Sequence, residues 1–203
     1  LGTDYIDLYQ IHWPDSTTPI AESMEAVSRL IEQGKVRYAG VCNYNAVQMA
    51  EAEKYITPAS NQVPYSMAKR SIESELIPYC LENKKSVLAY SPLERGLLTG
   101  KMKPGHVFAG GDHRKEVSFF KEENLKRTDE FLNLLKPIAK EKHLTLGQLV
   151  ILWTLQQSGI TIALVGARNS EQAIENATAV DTALNQEETE VITGYLEHLE
   201  LIA

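Results

Sequence analysis

The sequence predicts a parallel α/β fold. Short apolar runs recur along the chain, each followed by a turn and an amphipathic helix, and no low-complexity segment, charge block or linker divides the pattern. A chain of 203 residues can bury one substantial core, so residues 1–203 are expected to form a single domain.

The elements follow in order. "IDLYQIH" reads as a buried parallel strand, whose period of two puts Ile6, Leu8, Gln10 and His12 on one face. In "TPIAESMEAVSRLIEQG", Thr18 and Pro19 suit a helix start, Ile20, Met24, Val27 and Ile31 form its apolar stripe, and Gly34 suits the stop. "KVRYAGVCN" is the next strand, with a helix over roughly 45 to 56 behind it. "ASNQVPYS" is a short strand, and the helix after it carries Ile72, Leu76, Tyr79 and Cys80 on one face.

"KSVLAYSP" is a strand broken by Pro92. A connection rich in glycine and polar residues, about 100 to 122, then interrupts the rhythm; loops of that length are usually functional or mobile. Leu125, Thr128, Leu132, Leu135 and Ala139 mark a helix with Pro137 as its kink point. Thr145 with Gln148 forms a capping box that opens a mostly apolar helix. "ITIALVG" is the last strand, and Ala173, Ile174, Ala177 and Val180 stripe the helix behind it. Asn185 and Glu188 cap a final helix with Val191, Ile192, Tyr195 and Leu199 inside.

Composition excludes several function classes. Hydrophobic content of 43% with 23% charged residues is that of a soluble globular protein and not of a disordered one. A net charge of -7 gives no electrostatic case for nucleic acid or an anionic membrane surface, so an anionic ligand would need local positive contacts. "LVILWTL", the longest strongly apolar stretch, is far too short to span a bilayer. Cys42 and Cys80 are too few for a disulfide framework, which favours a reducing cytoplasm. The N-terminus carries acids where a signal peptide needs bases, and begins with Leu directly before a strand.

Polar residues gather at the carboxyl ends of the strands, where parallel α/β folds collect their functional groups. His12 ends the first, Cys42 and Asn43 the second, Gln62 lies on the third, Tyr90 and Ser91 close the fourth, and Gly166 to Asn169 the fifth. Taken singly, His12 reads equally as a half-buried histidine satisfied by a neighbour, and any of the others as a loop cap. Together they describe a polar rim. "GARNSEQAIEN" adds a phosphate argument: Gly166 allows close backbone approach, Arg168 supplies a planar fork, and Asn169 or Ser170 opens a helix. The bland alternative is a Gly turn, an N-cap and a solvated arginine. No GxGxxG indicates a Rossmann site, no GxSxG elbow indicates a serine hydrolase, and His106 and His113 lack metal-ligand spacing.

"DYIDLYQIHWPD", "GKVRYAGVCNYN", "NQVPYS", "AYSPLERGLLTGK" and "VGARNSEQAIEN" resemble the blocks of the aldo-keto reductase superfamily, in that family's order and from residue 1 to about 180. The resemblance implies a (β/α)8 TIM barrel that reduces aldehydes or ketones to alcohols by hydride transfer from NADPH. It assigns His12 to orienting the substrate carbonyl and Trp13 to walling the substrate pocket. Asn43 and Gln62 would hold the nicotinamide carboxamide, with Cys42 where the family usually has Ser, and a thiol is a poor hydrogen-bond partner. Tyr90 would stack under the nicotinamide ring, and Ser91, Leu93, Gly96 and Leu97 would line the pyrophosphate. Gly166 allows close approach, Arg168 would meet the 2′-phosphate, and Gln172, Glu175 and Asn176 the adenosine end.

The family's proton donor is a Tyr tuned by a Lys and an Asp, all on strands before the His strand. Here the His strand is the first of about five strand–helix units. The resemblance therefore implies a partial barrel, the C-terminal five-eighths of a truncated, proteolysed or incompletely recorded reductase, weakly active or inactive by itself. Tyr5, Tyr9 and Tyr44 sit inside matching blocks where the family's acid does not occur. Rival readings are a non-catalytic NADPH-binding regulatory subunit of the same fold, like the potassium-channel beta subunits, and an unrelated (β/α)8 hydrolase or lyase.

Overall fold

The computed structural model describes residues 1–202. Five strands form one sheet in sequence order, β1 (Ile6–Ile11), β2 (Val36–Cys42), β3 (Ser60–Pro64), β4 (Ser86–Tyr90) and β5 (Ile160–Leu164). β1, β2, β3 and β4 pair in parallel, with Gln10 opposite Gly40, Cys42 opposite Gln62, and Pro64 opposite Tyr90. The helices are α1 (Ile20–Glu32), α2 (Ala46–Ala52), α3 (Leu76–Glu82), α4 (Glu122–Glu141), α5 (Leu146–Gln156), α6 (Ser170–Ala177) and α7 (Gln186–Glu197). Among the described residues no helix is long and apolar enough to cross a membrane.

The chain divides into two compact units. The first comprises Leu1–Pro64, Ser71–Tyr90 and Ser158–Ile162; the second comprises Tyr65–Arg70, Ser91–Gln157 and the chain from Ala163 onward.

In the first unit the period-two pattern sets the faces of the sheet. Ala39, Val41, Val63 and Val87 point into a core with Met24, Val27, Met49, Ala52 and Cys80 from the helices. Ile20 and Ile31 pack beside them, which completes the predicted stripe of α1. Burying side chains of this size stabilises by about 1.5–3 kcal/mol each. The opposite face carries Leu8, Gln10, Gly40, Ser60 and Gln62. Gly40 is required there, because a Cβ would stand 2.6 Å from Ser60 Oγ and 3.1 Å from Gln10 Cγ.

Three expectations for this unit are corrected. β1 is not buried: Leu8 and Tyr9 are each 37% exposed, since β1 ends the strand order and pairs only with β2. The helix behind β2 covers Ala46–Ala52 and no more, followed by turns ahead of Pro58. Ile72 and Leu76 do not share a helix; a 3₁₀ turn at Ser71–Glu73 precedes α3, which starts at Leu76. Pro78 explains the start: with no N–H, it is harmless in the first turn, whereas a longer helix would need that donor.

In the second unit α4 buries Leu125, Thr128, Phe131, Leu132, Leu135 and Ala139, and it runs as one helix through Pro137. The Thr145–Gln148 and Asn185–Glu188 capping boxes are both formed. The connection around 100 to 122 is built rather than structureless. It contains 3₁₀ turns at His113–Glu116 and Ser118–Phe120, and its Phe108, Val117 and Phe119 pack against Leu97, Met102, Phe120 and Leu125. The stripe predicted for α6 lies outward instead, with Ile174 65% and Val180 58% exposed. The inward contacts of α6 are polar: Gln148 Nε2 donates to the Glu175 carbonyl and to Thr178 Oγ1, both at 2.9 Å. In α7, Ile192 and Leu196 are buried while Val191 is 38% exposed.

Candidate functional site

In the first unit the strand ends converge on Asn43. This residue follows β2 and takes a left-handed conformation, φ 61°, which an asparagine tolerates better than most side-chain-bearing residues. The turn aims its amide two ways. Nδ2 donates to the His12 carbonyl at 3.1 Å, and Oδ1 accepts from the Tyr90 hydroxyl at 2.9 Å. The Asn43 backbone N–H donates to the Gln62 carbonyl at 2.9 Å. Four predicted residues, from the ends of β1, β2 and β4 and from β3, are thus joined by three hydrogen bonds.

Around this knot lie the rest. Cys42, the last residue of β2, is 4% exposed; burial pushes its thiol up, partly offset by a backbone hydrogen bond with Gln62. His12 is exposed, with Trp13, 58% exposed, 6.2 Å away between ring centroids. Gln62 Nε2 donates to Gln10 Oε1 at 3.4 Å. Gln10 was not singled out from sequence, although it shares the face of His12. Its Nε2 is buried without a hydrogen-bond partner. An orphaned donor beside Gln62 fits a ligand that brings a carbonyl acceptor, as a carboxamide does.

The second unit holds a cavity of about 810 Å³, within the range of ligand pockets, about 300–1,000 Å³. Ser91, Leu93, Gly96, Gly166, Arg168, Gln172, Glu175 and Asn176, which the resemblance assigns to the cofactor, line it. Leu97 does not: it is fully buried in the core with Met102 and Phe120, because the turn before it directs that side chain inward. Asn169 caps α6 by accepting from the Gln172 N–H at 2.9 Å, and Gln172 Oε1 accepts from the Arg168 N–H at 2.9 Å. These bonds set the backbone that carries Arg168. Glu175 Oε1 accepts from Thr145 Oγ1 at 3.1 Å, and Asn176 Nδ2 donates to the Gly166 carbonyl at 3.3 Å.

Sequence reading missed part of the lining. Arg95, Lys101, His106 and Arg114 face the same cavity, so positive groups outnumber Glu175 there in a chain whose overall charge is -7. Arg95, Lys101 and Arg168 together fit a ligand with several phosphate charges. Among the described residues no group of His, Cys, Asp and Glu is arranged to hold a metal ion.

The Aldo/keto reductase family model matches residues 1–197. The chain is 37% identical over 199 residues to the aldo-keto reductase YhdN of Bacillus subtilis, covering 98% of this chain and 60% of that protein. It is 36% identical over 203 residues to the NADH-specific methylglyoxal reductase of Escherichia coli, covering 98% of this chain and 62% of that protein. The solved structure of the glycerol dehydrogenase AKR11B4 from Gluconobacter oxydans superimposes with a TM-score of 0.92 at 32% identity, over 98% of this chain and 62% of that one. The chain thus spans about three fifths of the length of the relatives it matches. Its sequence, its parallel strands and these likenesses agree: the chain belongs to the aldo/keto reductase family.

Proposed function

We propose that the chain is the cofactor-holding part of a cytoplasmic carbonyl reductase, contributing five strand–helix units of one (β/α)8 domain. The observation that carries the reading is the tie through Asn43, whose amide joins the His12 backbone carbonyl at the end of β1 to the Tyr90 phenol at the end of β4. The chemistry a bound NADPH would supply is a hydride for the carbonyl carbon of an aldehyde or ketone. The residues of this chain do the rest of the positioning. His12 orients the carbonyl oxygen, and Trp13 walls the substrate. Tyr90 would hold one face of the nicotinamide ring and leave the other open to the substrate. Gln62 and Asn43 take the carboxamide, Gln10 adds a donor, and Cys42 contributes little beyond packing. Ser91, Leu93 and Gly96 meet the diphosphate; Gly166, Arg168, Gln172, Glu175 and Asn176 meet the adenosine end.

Tyr5, Tyr9 and Tyr44, which lie in the blocks that carry His12 and Asn43, do not take the part of the proton donor. Tyr44 is buried, and burial pushes its phenol up. The Arg37 guanidinium lies 3.8 Å over the Tyr5 ring. Tyr9 alternates with Leu8 and Gln10, on the other face of β1 from His12. The chain by itself therefore binds cofactor with weak or absent turnover.

Arg168 supports NADPH over NADH, since a guanidinium suits a 2′-phosphate. A relative that is NADH-specific makes this the point to test first. Calorimetric titration of the chain with NADPH and with NADH is the experiment, followed by addition of methylglyoxal. Saturable binding that favours NADPH, with little aldehyde-dependent oxidation, is the expected result. Failure to bind either nucleotide overturns the reading, and brisk turnover overturns the absence of a proton donor.

A further inference from the structure

The cavity of the second unit is bounded by a strained turn. Glu94, Arg95 and Gly96 occupy the left-handed region in succession, with φ of 44°, 54° and 94°. Two side-chain-bearing residues in a row hold that conformation only where their surroundings over-determine it. Two supports are present. Glu94 is buried, and its Oε2 accepts from Ser66 Oγ at 3.2 Å. From the 100–122 connection, Arg114 Nη1 donates to the Arg95 carbonyl at 3.1 Å.

Arg114 is itself held. Its Nε donates to Asp112 Oδ1 at 3.0 Å and its Nη2 to Asp112 Oδ2 at 2.6 Å, a bidentate pair. Its guanidinium stands 5.7 Å from the centroid of Phe108 and 6.0 Å from that of Phe120. One edge of the guanidinium, Nε with Nη2, thus meets Asp112, and Nη1 meets the Arg95 carbonyl, with a carboxylate directly beside its charge. An arginine that serves a ligand as a charge would be presented otherwise.

We propose that Asp112 and Arg114 are positioning residues for the dinucleotide: the pair locks the Arg95 carbonyl, and so holds residues 94–96 in the shape that presents their backbone to the diphosphate. The proposal rests on the nicotinamide-cofactor reading above. Gly96 lines the same cavity, and a Cβ there would stand 3.1 Å from Met102 Cε and 3.8 Å from Arg114 Nη1, so the locking guanidinium lies directly against the turn.

The two possible roles of the pair predict opposite signs for one variant. Asp112→Asn removes a negative charge beside the cavity, so simple charge attraction predicts tighter anion binding. A lock predicts weaker binding, because the bidentate pair is lost. The variant keeps an Oδ1 acceptor for the Arg114 N–H, which caps the following 3₁₀ turn at 3.0 Å.

The test is calorimetric titration of wild type, Asp112→Asn, Arg114→Ala and Arg114→Lys with ADP-ribose and with its 2′-phosphate, probes that lack nicotinamide. The expected result is that Asp112→Asn and Arg114→Ala weaken both probes alike, on the order of tenfold, that combining them costs no more, and that Arg114→Lys does not rescue. The loss should appear as faster dissociation, since unlocking shortens the life of the complex. Unchanged or tighter binding by Asp112→Asn overturns the proposal, as does full rescue by Arg114→Lys. Should Arg114→Ala fail to fold, Asp112→Asn alone decides. If the wild type binds neither probe, the nicotinamide-cofactor reading fails first and this one with it.

Discussion

The phenol of Tyr90 donates to Oδ1 of Asn43 at 2.9 Å, between residues 47 apart in sequence. The same amide donates to the carbonyl of His12 at 3.1 Å. Asn43 is therefore a structural keystone of the strand ends as well as a candidate cofactor contact. The two parts are separable by substitution.

Asn43→Ala loses two hydrogen bonds, at about 1 kcal/mol each, and puts at φ 61° a residue without asparagine's tolerance of the left-handed region, costing about another 1 kcal/mol. Asn43→Gly loses the same bonds but relaxes the backbone term. Urea denaturation should therefore rank the wild type above Asn43→Gly, and Asn43→Gly above Asn43→Ala, with Ala about 3 kcal/mol below the wild type. Equal stability of all three would mean that the amide bonds contribute nothing and that other contacts fix the strand ends.

Two glycines make opposite predictions. Gly40→Ala places a Cβ 2.6 Å from Ser60 Oγ and 3.3 Å from the Ser60 carbonyl, so β2 or β3 must shift. Overpacking of that kind costs about 1–3 kcal/mol. Gly194 lies inside α7 with nothing within 4 Å of an added Cβ. Gly194→Ala should raise stability by about 0.4–1 kcal/mol, since alanine has the better helix propensity. Thermal melts of the two variants check both signs at once.

Arg168→Ala tests the phosphate end. Loss of a charged hydrogen bond to a 2′-phosphate should weaken NADPH by about 1.5–3 kcal/mol, with NADH nearly unaffected. Isothermal titration with both nucleotides reads the difference. Equal losses for the two would show that Arg168 meets the part they share, and that the NADPH preference rests elsewhere.

Much of this was legible in the sequence because it is local. The Thr145–Gln148 and Asn185–Glu188 boxes need only three-residue spacing, and Asn169 announces α6 by residue type alone. The rim positions follow from strand ends and a period of two. What escaped depends on partners far along the chain. Nothing near Asn43 signals that Tyr90 will reach it, and nothing near Arg114 signals that the Arg95 carbonyl will receive it. The stripe of α6 misled because periodicity finds an apolar face without saying whether a core lies opposite. Here Gln148 supplies polar contacts, and Ile174 faces outward. β1 misled for the same reason, since an apolar run does not reveal how many neighbours a strand will have.

Glu94 gives a prediction with a sign that can be worked out. Burial raises its carboxyl above the ordinary value of 4.5, and the Ser66 hydroxyl and the charges of Lys69 and Arg95 offset only part of that. The folded chain thus holds this proton more tightly than the unfolded chain does. The stability this contributes is fully present below the unfolded value of 4.5 and is lost as pH rises through the folded value. Above the folded value the wild type carries a buried carboxylate that its neighbours do not fully compensate. Glu94→Gln is neutral at every pH and keeps an Oε1 acceptor for the Ser66 hydroxyl. Its melting temperature should exceed that of the wild type at pH above the folded value, and the advantage should shrink as pH falls below 4.5, where the wild type carboxyl becomes protonated in both states. A variant less stable than the wild type above the folded value would reverse the ranking of forces, placing the attraction of Lys69 and Arg95 above the cost of burial.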